Sequence, residues 1–324
     1  SINNHDTNHI LSVKNKKNIY VSLDEEGGYA STNPNFLKSI LYFRSSEKNM
    51  SLIDRVYTWG DFDFKVWREK YKKFKNKIVK SGSPRLDLWR KDVYSKLFKK
   101  EIDSLKKKYA SFFFIPSSFY SSYSDLSMAI SNEKRKDNLS LIPLKRRITA
   151  KKHDFNLFNQ FVDLIKKLSI DFPKNKIVIK PHPSEKLINW KKKINTSKYR
   201  NVFFETTYDL TSLIAASKCV IFNSSTAGMQ SSIMGKKSIS YGKFSDKKSF
   251  RNFPNQCSKQ VSEYKKLKYE LNRKFSIKEN KKYLNKVKSR FYIDKETCSE
   301  KILKDLKKIS GKNKTKLNLN NYFI

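Results

Sequence analysis

The sequence predicts an α/β protein of two lobes with parallel β-sheets. Short apolar runs that are typical of strands alternate along the chain with segments of helical spacing, and this alternation is typical of parallel sheets. A length of 324 residues fits two domains. We predict a first lobe over residues 1–108, a second lobe over residues 109–310, and a polar, basic tail at residues 311–324.

The first lobe has three predicted strands, at residues 19–23, 55–58 and 77–80. A helix is predicted between the last two strands, at residues 62–74, from its apolar spacing. Pro84 suits the first turn of a further helix that continues to Leu97. Because a complete lobe of this type contains more strands, we expect the N-terminal lobe to be incomplete.

The second lobe alternates more regularly. Its predicted strands are residues 111–115, 176–179, 202–204, 219–222 and 238–241. Its predicted helices are residues 151–168, 210–216 and 226–234. The first of these helices carries one continuous apolar stripe, which predicts that it packs on the sheet. Residues after 260 are predicted to be helical and are very basic.

The formal net charge is +40, but only 12 of the 70 basic residues are Arg. Lys is spread along the whole chain, which favours a solvated, Lys-rich surface. An attraction to anionic membranes or acidic glycans is the functional alternative. Nucleic-acid binding is disfavoured, because it would need clustered Arg and exposed aromatic platforms.

Compartment signals favour the cytoplasm. The longest apolar stretch, residues 110–115, is far shorter than the roughly 20 residues that span a bilayer. Residues 1–18 lack the apolar region of a signal peptide. Cys219, Cys257 and Cys298 form no C-x-x-C pair, so we expect neither disulfides nor a zinc site and infer a reducing compartment.

The loop at residues 180–185 directly follows a predicted strand. In open α/β sheets, ligands bind beyond the carboxyl ends of the strands. Two prolines flank His182, and a fixed imidazole there could donate to a phosphate oxygen or polarise a leaving group. The alternative is an ordinary histidine in a turn.

A second polar loop, residues 223–228, follows another strand and opens a helix. The first turn of a helix offers backbone N–H groups and the positive end of the helix dipole to a phosphate, and Ser and Thr add hydroxyl donors. Plain helix capping would use the same residue types.

Three neighbouring acids, Asp24, Glu25 and Glu26, end the first predicted strand. Crowded carboxylates raise one another's pKa, which suits a general base or a nucleophile. The alternative is a solvated acidic turn. We therefore take these three acids as the catalytic candidates.

Substrate-binding candidates are predicted in both lobes. Ser83 and Arg85 lie in a strand-to-helix loop, where Arg85 could meet an anionic substrate or pair with Asp87. Ser117 and Ser118 follow the strand at residues 111–115 and complete this set.

A D-x-D pattern at residues 61–63 resembles a metal-binding motif. No other carboxylate cluster or His lies nearby in the sequence, and Asp61 after Gly60 suits a helix cap. We therefore predict no metal site.

Six short motifs follow one another along the chain: D-E-E-G-G at 24–28, T-W-G-D at 58–61, G-S-P-R-L-D at 82–87, K-P-H-P-S-E at 180–185, N-S-S-T-A-G-M-Q at 223–230 and M-G-K-K-S-I-S-Y at 234–241. In this order they resemble the bacterial surface carbohydrate (surface polysaccharide) biosynthesis glycosyltransferase family. The resemblance implies a GT-B fold, in which two Rossmann-like domains face a central cleft. It also implies an acceptor-side first lobe and a nucleotide-sugar-binding second lobe.

The chain is also similar to GT-B transferases that use CMP-activated acidic sugars such as Kdo or sialic acid. By that resemblance the nucleotide-binding residues would be His182, Pro183, Ser184, Glu185, Ser224, Ser225, Thr226 and Gln230. The acids at residues 24–26 would face the sugar and the acceptor. The expected reaction moves a sugar, Kdo or a related acid, from a CMP-sugar onto surface polysaccharide or lipopolysaccharide. No cofactor is expected besides the donor.

Two other enzyme classes remain open from the sequence. One is a UDP-N-acetylglucosamine 2-epimerase, which needs no acceptor, and the other is a polyol-phosphate transferase of the teichoic-acid type. Because surface-glycan acceptors are commonly lipid-linked, the resemblance also implies peripheral contact with the anionic inner membrane. Residues 265–316 are the expected contact.

Overall fold

The structure, a computed structural model, describes residues 7–15, 18–23, 34, 38, 45–117, 126–135, 143–183, 185–242 and 253–312. The strands are β1 (Val21–Leu23), β2 (Arg55–Thr58), β3 (Ile78–Lys80), β4 (Phe112–Pro116), β5 (Lys176–Lys180), β6 (Val202–Phe204), β7 (Cys219–Phe222), β8 (Ser238–Tyr241) and β9 (Lys259–Val261). The helices are α1 (Thr7–Asn15), α2 (Glu47–Leu52), α3 (Asp61–Lys70), α4 (Pro84–Asp87), α5 (Lys91–Leu97), α6 (Lys99–Tyr109), α7 (Leu126–Arg135), α8 (Leu144–Asp171), α9 (Leu187–Lys193), α10 (Leu210–Ala216), α11 (Ala227–Ile233), α12 (Phe253–Gln256), α13 (Tyr264–Asn272), α14 (Ile277–Lys288) and α15 (Cys298–Lys312).

The chain folds as two compact units. The first comprises Ser1–Leu88 and Lys288–Ile324, and the second comprises Trp89–Val287. The sequence predicts a boundary near residue 108, whereas the first unit ends at Leu88 and resumes at Lys288. No helix in the described part of the chain is long and apolar enough to cross a membrane.

The first unit contains a parallel sheet in the order β1-β2-β3. Val56 of β2 lies opposite Ser22 on one side and Ile78 on the other. Val56 and Trp67 of α3 belong to the buried core of this unit and are fully buried. The three predicted strands are confirmed, and apolar burial on the sheet accounts for the position of α3.

Helix α15 returns to this first unit although it lies more than 200 residues further along the chain. The Asp87 carboxylate accepts hydrogen bonds from the backbone N–H groups of Cys298 and Ser299, each at 2.9 Å. Further along the same helix, Asp305 accepts a hydrogen bond of 2.9 Å from Tyr57 of β2. A carboxylate at the first turn of a helix stabilises it by satisfying its N–H groups and opposing its dipole.

One predicted helix of this region is wrong. Instead of a single helix from Pro84 to Leu97, α4 ends at Asp87 and α5 begins at Lys91. Arg90 has extended backbone angles (φ −72°, ψ 140°), and the preceding Trp89 is buried. Helical periodicity in the sequence does not reveal that a tryptophan is drawn into the interior at this point. Helix α3 likewise ends at Lys70, before a short 3-10 helix.

The second unit contains six parallel strands in the order β6-β5-β4-β7-β8-β9. The long helix α8 buries the predicted apolar stripe against this sheet and begins earlier than predicted, at Leu144. Strands β6, β7 and β8 and helix α10 have the predicted bounds. The edge strand β9 is not predicted, because Val261 is its only apolar residue and its other two residues are exposed. The α/β fold class with parallel sheets is thus confirmed in both units.

Candidate functional site

Strands β5, β4 and β7 are neighbours in the second unit and end at the same edge of the sheet. Phe114 of β4 lies opposite Val178 of β5 on one side and Val220 of β7 on the other, and both pairings are parallel. The chain proceeds from β4 to β5 and β6 on one side, and then to β7 on the other side. Such a reversal of strand order leaves a crevice beyond the carboxyl ends of the strands, where open α/β sheets bind ligands.

The loop after β5 is organised around the buried carboxylate of Glu185, which is 8% exposed. This carboxylate accepts hydrogen bonds from Ser117 Oγ at 2.7 and 2.8 Å, from the backbone N–H of His182 at 3.2 Å and from Trp190 Nε1 at 3.1 Å. Because Ser117 directly follows β4, the carboxylate joins the ends of two adjacent strands. The His182 and Pro183 side chains are exposed on this anchored loop.

The loop after β7 contains a residue in an uncommon conformation. Ser224 has φ 55°, in the left-handed region that few non-glycine residues adopt. Its backbone N–H donates to Asn255 Oδ1 at 2.8 Å, and its hydroxyl donates to Asn223 Oδ1 at 2.8 Å. Asn223 in turn donates to the Tyr241 carbonyl of β8 at 2.7 Å. Buried amides therefore fix the course of the backbone into α11.

The start of α11 packs closely on β7. Ser225 Oγ accepts a hydrogen bond of 3.3 Å from the backbone N–H of Ala227. A Cβ atom added at Gly228 would lie 2.1 Å from Phe222 Cζ and 2.8 Å from the Pro254 carbonyl oxygen. Only glycine allows this close approach of the helix to the strand, as at the close helix–strand contacts of nucleotide-binding folds.

Gln230 is buried where α11 meets α10. It is 2% exposed, and its amide donates to Thr211 Oγ1 of α10 at 2.9 Å. Its observed contact therefore fixes α11 against α10. Thr226, by contrast, is exposed at the first turn of α11, and Ser224 is partly exposed beside it.

The sheet edge thus presents an imidazole, hydroxyl groups and the first turn of a helix. The imidazole of His182 comes from the β5 loop, and the hydroxyl of Thr226 comes from the β7 loop. These groups are hydrogen-bond donors, and the helix dipole adds a partial positive charge. Such a set of groups suits a phosphate or another anion.

Two buried residues that support the β7 loop, Asn255 and Ser240, are not among the residues predicted from the sequence. Asn255 accepts hydrogen bonds from Ser224 and, at 2.8 Å, from the Ser240 hydroxyl of β8, and both Asn255 and Ser240 are fully buried. No spacing rule joins Asn255 to a loop 31 residues earlier. The nearest signal is the pair of buried serines in β8, Ser238 and Ser240, because buried polar groups need partners.

We expect Asn255→Ala to loosen the β7 loop. The substitution leaves the Ser224 N–H and the Ser240 hydroxyl without their acceptor, at about 1–3 kcal/mol for a buried unsatisfied group. Thermal denaturation should show a lower midpoint. Ser240→Ala is the matched control, because it removes a single donor and leaves the Ser224 contact intact. Equal midpoints for Asn255→Ala and wild type would show that Asn255 does not hold this loop.

The predicted substrate-binding residues Ser83 and Arg85 lie in the first unit. Ser83 Oγ accepts a hydrogen bond of 3.3 Å from the backbone N–H of Arg85 and so caps α4. The Arg85 side chain is exposed. The Asp87 carboxylate, a predicted alternative partner of Arg85, accepts hydrogen bonds from two backbone N–H groups of α15 and from the Ser299 hydroxyl.

The D-x-D pattern of the first unit engages cations of the protein itself. Asp61 pairs with Lys80 at 2.8 Å, and the buried Asp63 lies 3.7 Å from Arg290. Among the residues that the structure describes, no group of three or more His, Cys, Asp or Glu could hold a metal ion. The cap position of α3 is occupied by Gly60 and not, as predicted, by Asp61. The predicted candidates Asp24, Glu25, Glu26, Ser118 and Ser184 lie outside the described residues.

Comparison with solved structures identifies the fold. A UDP-GlcNAc 2-epimerase from Neisseria meningitidis bound to UDP-GlcNAc is similar with a TM-score of 0.50 and 13% identity, over 92% of this chain and 72% of that chain. A Listeria monocytogenes protein provisionally assigned as a UDP-N-acetylglucosamine 2-epimerase is similar with a TM-score of 0.50 and 10% identity, over 95% of this chain and 72% of that chain. These similarities and the two parallel sheets confirm the predicted GT-B fold with two Rossmann-like domains.

The wall teichoic acid polymerase TagF is also similar, with a TM-score of 0.48 and 15% identity, over 85% of this chain. The chain spans 61% of the length of that structure. No protein-family model matches the sequence, and no curated protein matches it.

Proposed function

We propose that the chain is a glycosyltransferase that holds a nucleotide-sugar at the carboxyl edge of the sheet in the second unit. The observation that carries the proposal is that three predicted loops follow the carboxyl ends of the adjacent strands β4, β5 and β7. Phosphate-binding loops of open α/β sheets lie at such a switch point.

In this proposal the first turn of α11 binds the donor phosphate. The backbone N–H groups and the hydroxyls of Ser225 and Thr226 act as donors, while Ser224 sets the turn. His182 contacts the same phosphate from the β5 loop. Charge that develops on the departing nucleotide would be stabilised there by fixed donors. Pro183 and Ser184 are proposed as further nucleotide contacts, Glu185 is a positioning residue, and Gln230 positions α11 through Thr211.

The donor and the acceptor belong to the same proposal. The resemblance favours a CMP-linked acidic sugar such as Kdo and an acceptor on bacterial surface polysaccharide or lipopolysaccharide. Asp24, Glu25 and Glu26 would supply the catalytic carboxylate. Ser83, Arg85, Ser117 and Ser118 are proposed as substrate-binding residues; for Ser117 the contact with Glu185 makes that role indirect.

A UDP-N-acetylglucosamine 2-epimerase is the second candidate function. Its support is the similarity to the Neisseria meningitidis enzyme. Incubation with a donor alone separates the two functions. An epimerase converts UDP-N-acetylglucosamine to its 2-epimer without an acceptor, whereas a transferase at most hydrolyses its donor. Conversion of UDP-N-acetylglucosamine alone would therefore overturn the transferase proposal.

We expect His182→Ala to weaken nucleotide binding. Loss of one phosphate contact is worth roughly 1–3 kcal/mol, which is about a fivefold to 150-fold increase in the dissociation constant. Because the side chain is exposed, the thermal midpoint without ligand should stay near that of the wild type. Calorimetric titration of both proteins measures the change. An unchanged affinity would remove His182 from the site.

A further inference from the structure

Helices α13 and α14 of the second unit expose large apolar side chains. Tyr269 of α13 is 67% exposed, and Ile277, the first residue of α14, is 89% exposed. Ile277 is the most exposed large apolar side chain among the described residues. Other side chains of these helices are buried, namely Leu267 and Leu271 of α13 and Val287 of α14. The exposed pair is therefore not needed for packing of the helices.

The turn between the two helices is fixed by charged groups. The Arg273 guanidinium donates to Glu270 at 2.6 and 3.0 Å and to Glu279 at 2.5 and 2.8 Å. Ser276 and Glu279 exchange hydrogen bonds of 3.2 Å between side chain and backbone, which is a capping box at the start of α14. An ordered turn thus joins the two helices, and the two glutamates are already paired.

The surroundings of this exposed pair are strongly basic. Residues 264–288 contain nine Lys and one Arg against two Glu. The exposed lysines of the two helices and their connection are Lys265, Lys266, Lys268, Lys274, Lys278, Lys281, Lys282, Lys286 and Lys288. The ten cations outnumber the two glutamates, so the segment carries a formal net charge of +8 (nine Lys and one Arg less two Glu). We name the lysines together with Tyr269 and Ile277 the α13–α14 surface.

We propose that the α13–α14 surface docks on an anionic lipid bilayer, with Tyr269 and Ile277 entering the interfacial region. Apolar side chains surrounded by lysines match the two layers of such a membrane: the lysines meet anionic headgroups, and the apolar tips reach the acyl boundary. Tyrosine suits this depth because its ring is apolar and its hydroxyl stays wet. A nucleic acid would use the lysines and leave Ile277 without an apolar complement, and an acidic protein would need an apolar patch beside its carboxylates to match this surface.

Vesicle sedimentation of the full chain tests the proposal. At low salt the wild type should bind vesicles that contain phosphatidylserine and should not bind phosphatidylcholine vesicles. Tyr269→Ser/Ile277→Ser should weaken binding to the anionic vesicles by about tenfold or more, because the apolar contact is lost. Lys278→Gln/Lys281→Gln should weaken it similarly. The matched controls are Leu97→Ser, at a side chain 65% exposed, and Lys191→Gln/Lys192→Gln.

The vesicle-binding results of the variants and controls either support or overturn the docking surface. Loss of binding in both α13–α14 variants, with both controls like the wild type, supports the docking surface. No binding by the wild type overturns it. Equal losses in the controls also overturn it, because the lysine charge then acts diffusely over the whole surface. Weakening by the lysine changes alone also overturns it, and would leave a basic face open to nucleic acid or acidic protein.

A site-directed probe measures the insertion itself. The three cysteines are buried, so Ile277→Cys can be labelled selectively with an environment-sensitive fluorophore. The emission should shift to the blue on addition of anionic vesicles, and lipids that carry a shallow quencher should reduce it. An unchanged emission spectrum with bound vesicles would exclude entry of residue 277 into the bilayer. Nucleotide binding is measured on the same variants and should be unchanged, so this inference can fail independently of the proposed function.

Discussion

Gly228→Ala should destabilise the second unit and disable the start of α11. The added Cβ would lie 2.1 Å from Phe222 Cζ and 2.8 Å from a backbone carbonyl oxygen, and Phe222 is fully buried. Neither neighbour can move without disturbing the core. Overpacking of this kind costs about 1–3 kcal/mol, or roughly 2–4 °C in the thermal midpoint for each kcal/mol. Thermal denaturation and nucleotide titration should therefore both show a loss.

Thr226→Ala is the matched control for Gly228→Ala, since it changes an exposed residue in the same turn. It should leave the thermal midpoint near that of the wild type and lower nucleotide affinity alone. A Gly228→Ala protein with wild-type stability would contradict the close packing of α11 on β7.

Glu25→Gln or Glu26→Gln should reduce turnover at least about 100-fold, the usual contribution of a general acid or base. Glutamine keeps the size of the side chain and removes the carboxylate. The rate is measured with the donor and acceptor that the wild type uses, and nucleotide affinity is measured in parallel. A general base predicts a lower turnover number with donor affinity retained.

Near wild-type turnover in both glutamine variants would make the acidic turn structural only. The double variant Glu25→Gln/Glu26→Gln guards against one acid replacing the other. Asp24→Asn completes the set and identifies which of the three carboxylates the reaction needs.

The parallel core was predictable because its signals are local. β7 and β8 consist of β-branched, apolar or small residues between polar loops, and their bounds match the prediction. Elements that depend on distant partners were not predictable. The return of α15 to the first unit depends on Asp87 and Asp305, and nothing in the local sequence reveals those contacts.

The positions of the site loops could be predicted from the sequence, but the hydrogen bonds that hold these loops could not. His182 and Thr226 follow strand ends, so the sequence places them at one edge of the sheet. The support of these loops comes from residues far along the chain, such as Asn255 for Ser224. Glu185 was predicted to bind nucleotide, and its observed partners are protein groups that fix the loop.

Part of the lysine content also has a structural role that composition conceals. Lys236 Nζ donates to the Ala215 carbonyl of α10 at 2.7 Å, and Lys237 Nζ donates to the Glu270 and Arg273 carbonyls at the end of α13. Burial lowers the pKa of both lysines. Cations at helix ends satisfy the last carbonyls and oppose the helix dipole. The interpretation of lysine as a solvated surface therefore does not hold for these two residues.

Nucleotide-dependent thermal stability tests the proposed nucleotide site most directly. The wild type is heated with CMP, UDP, GDP or CDP, and the His182→Ala and Thr226→Ala variants are heated with the same ligands. A nucleotide present at 100 times its dissociation constant should stabilise the wild type by about 2.7 kcal/mol. The expected result is stabilisation by at least one nucleotide, CMP on the resemblance, with a smaller shift in both variants. No shift with any of the four nucleotides, or an equal shift in all three proteins, would contradict a nucleotide site at the ends of β5 and β7.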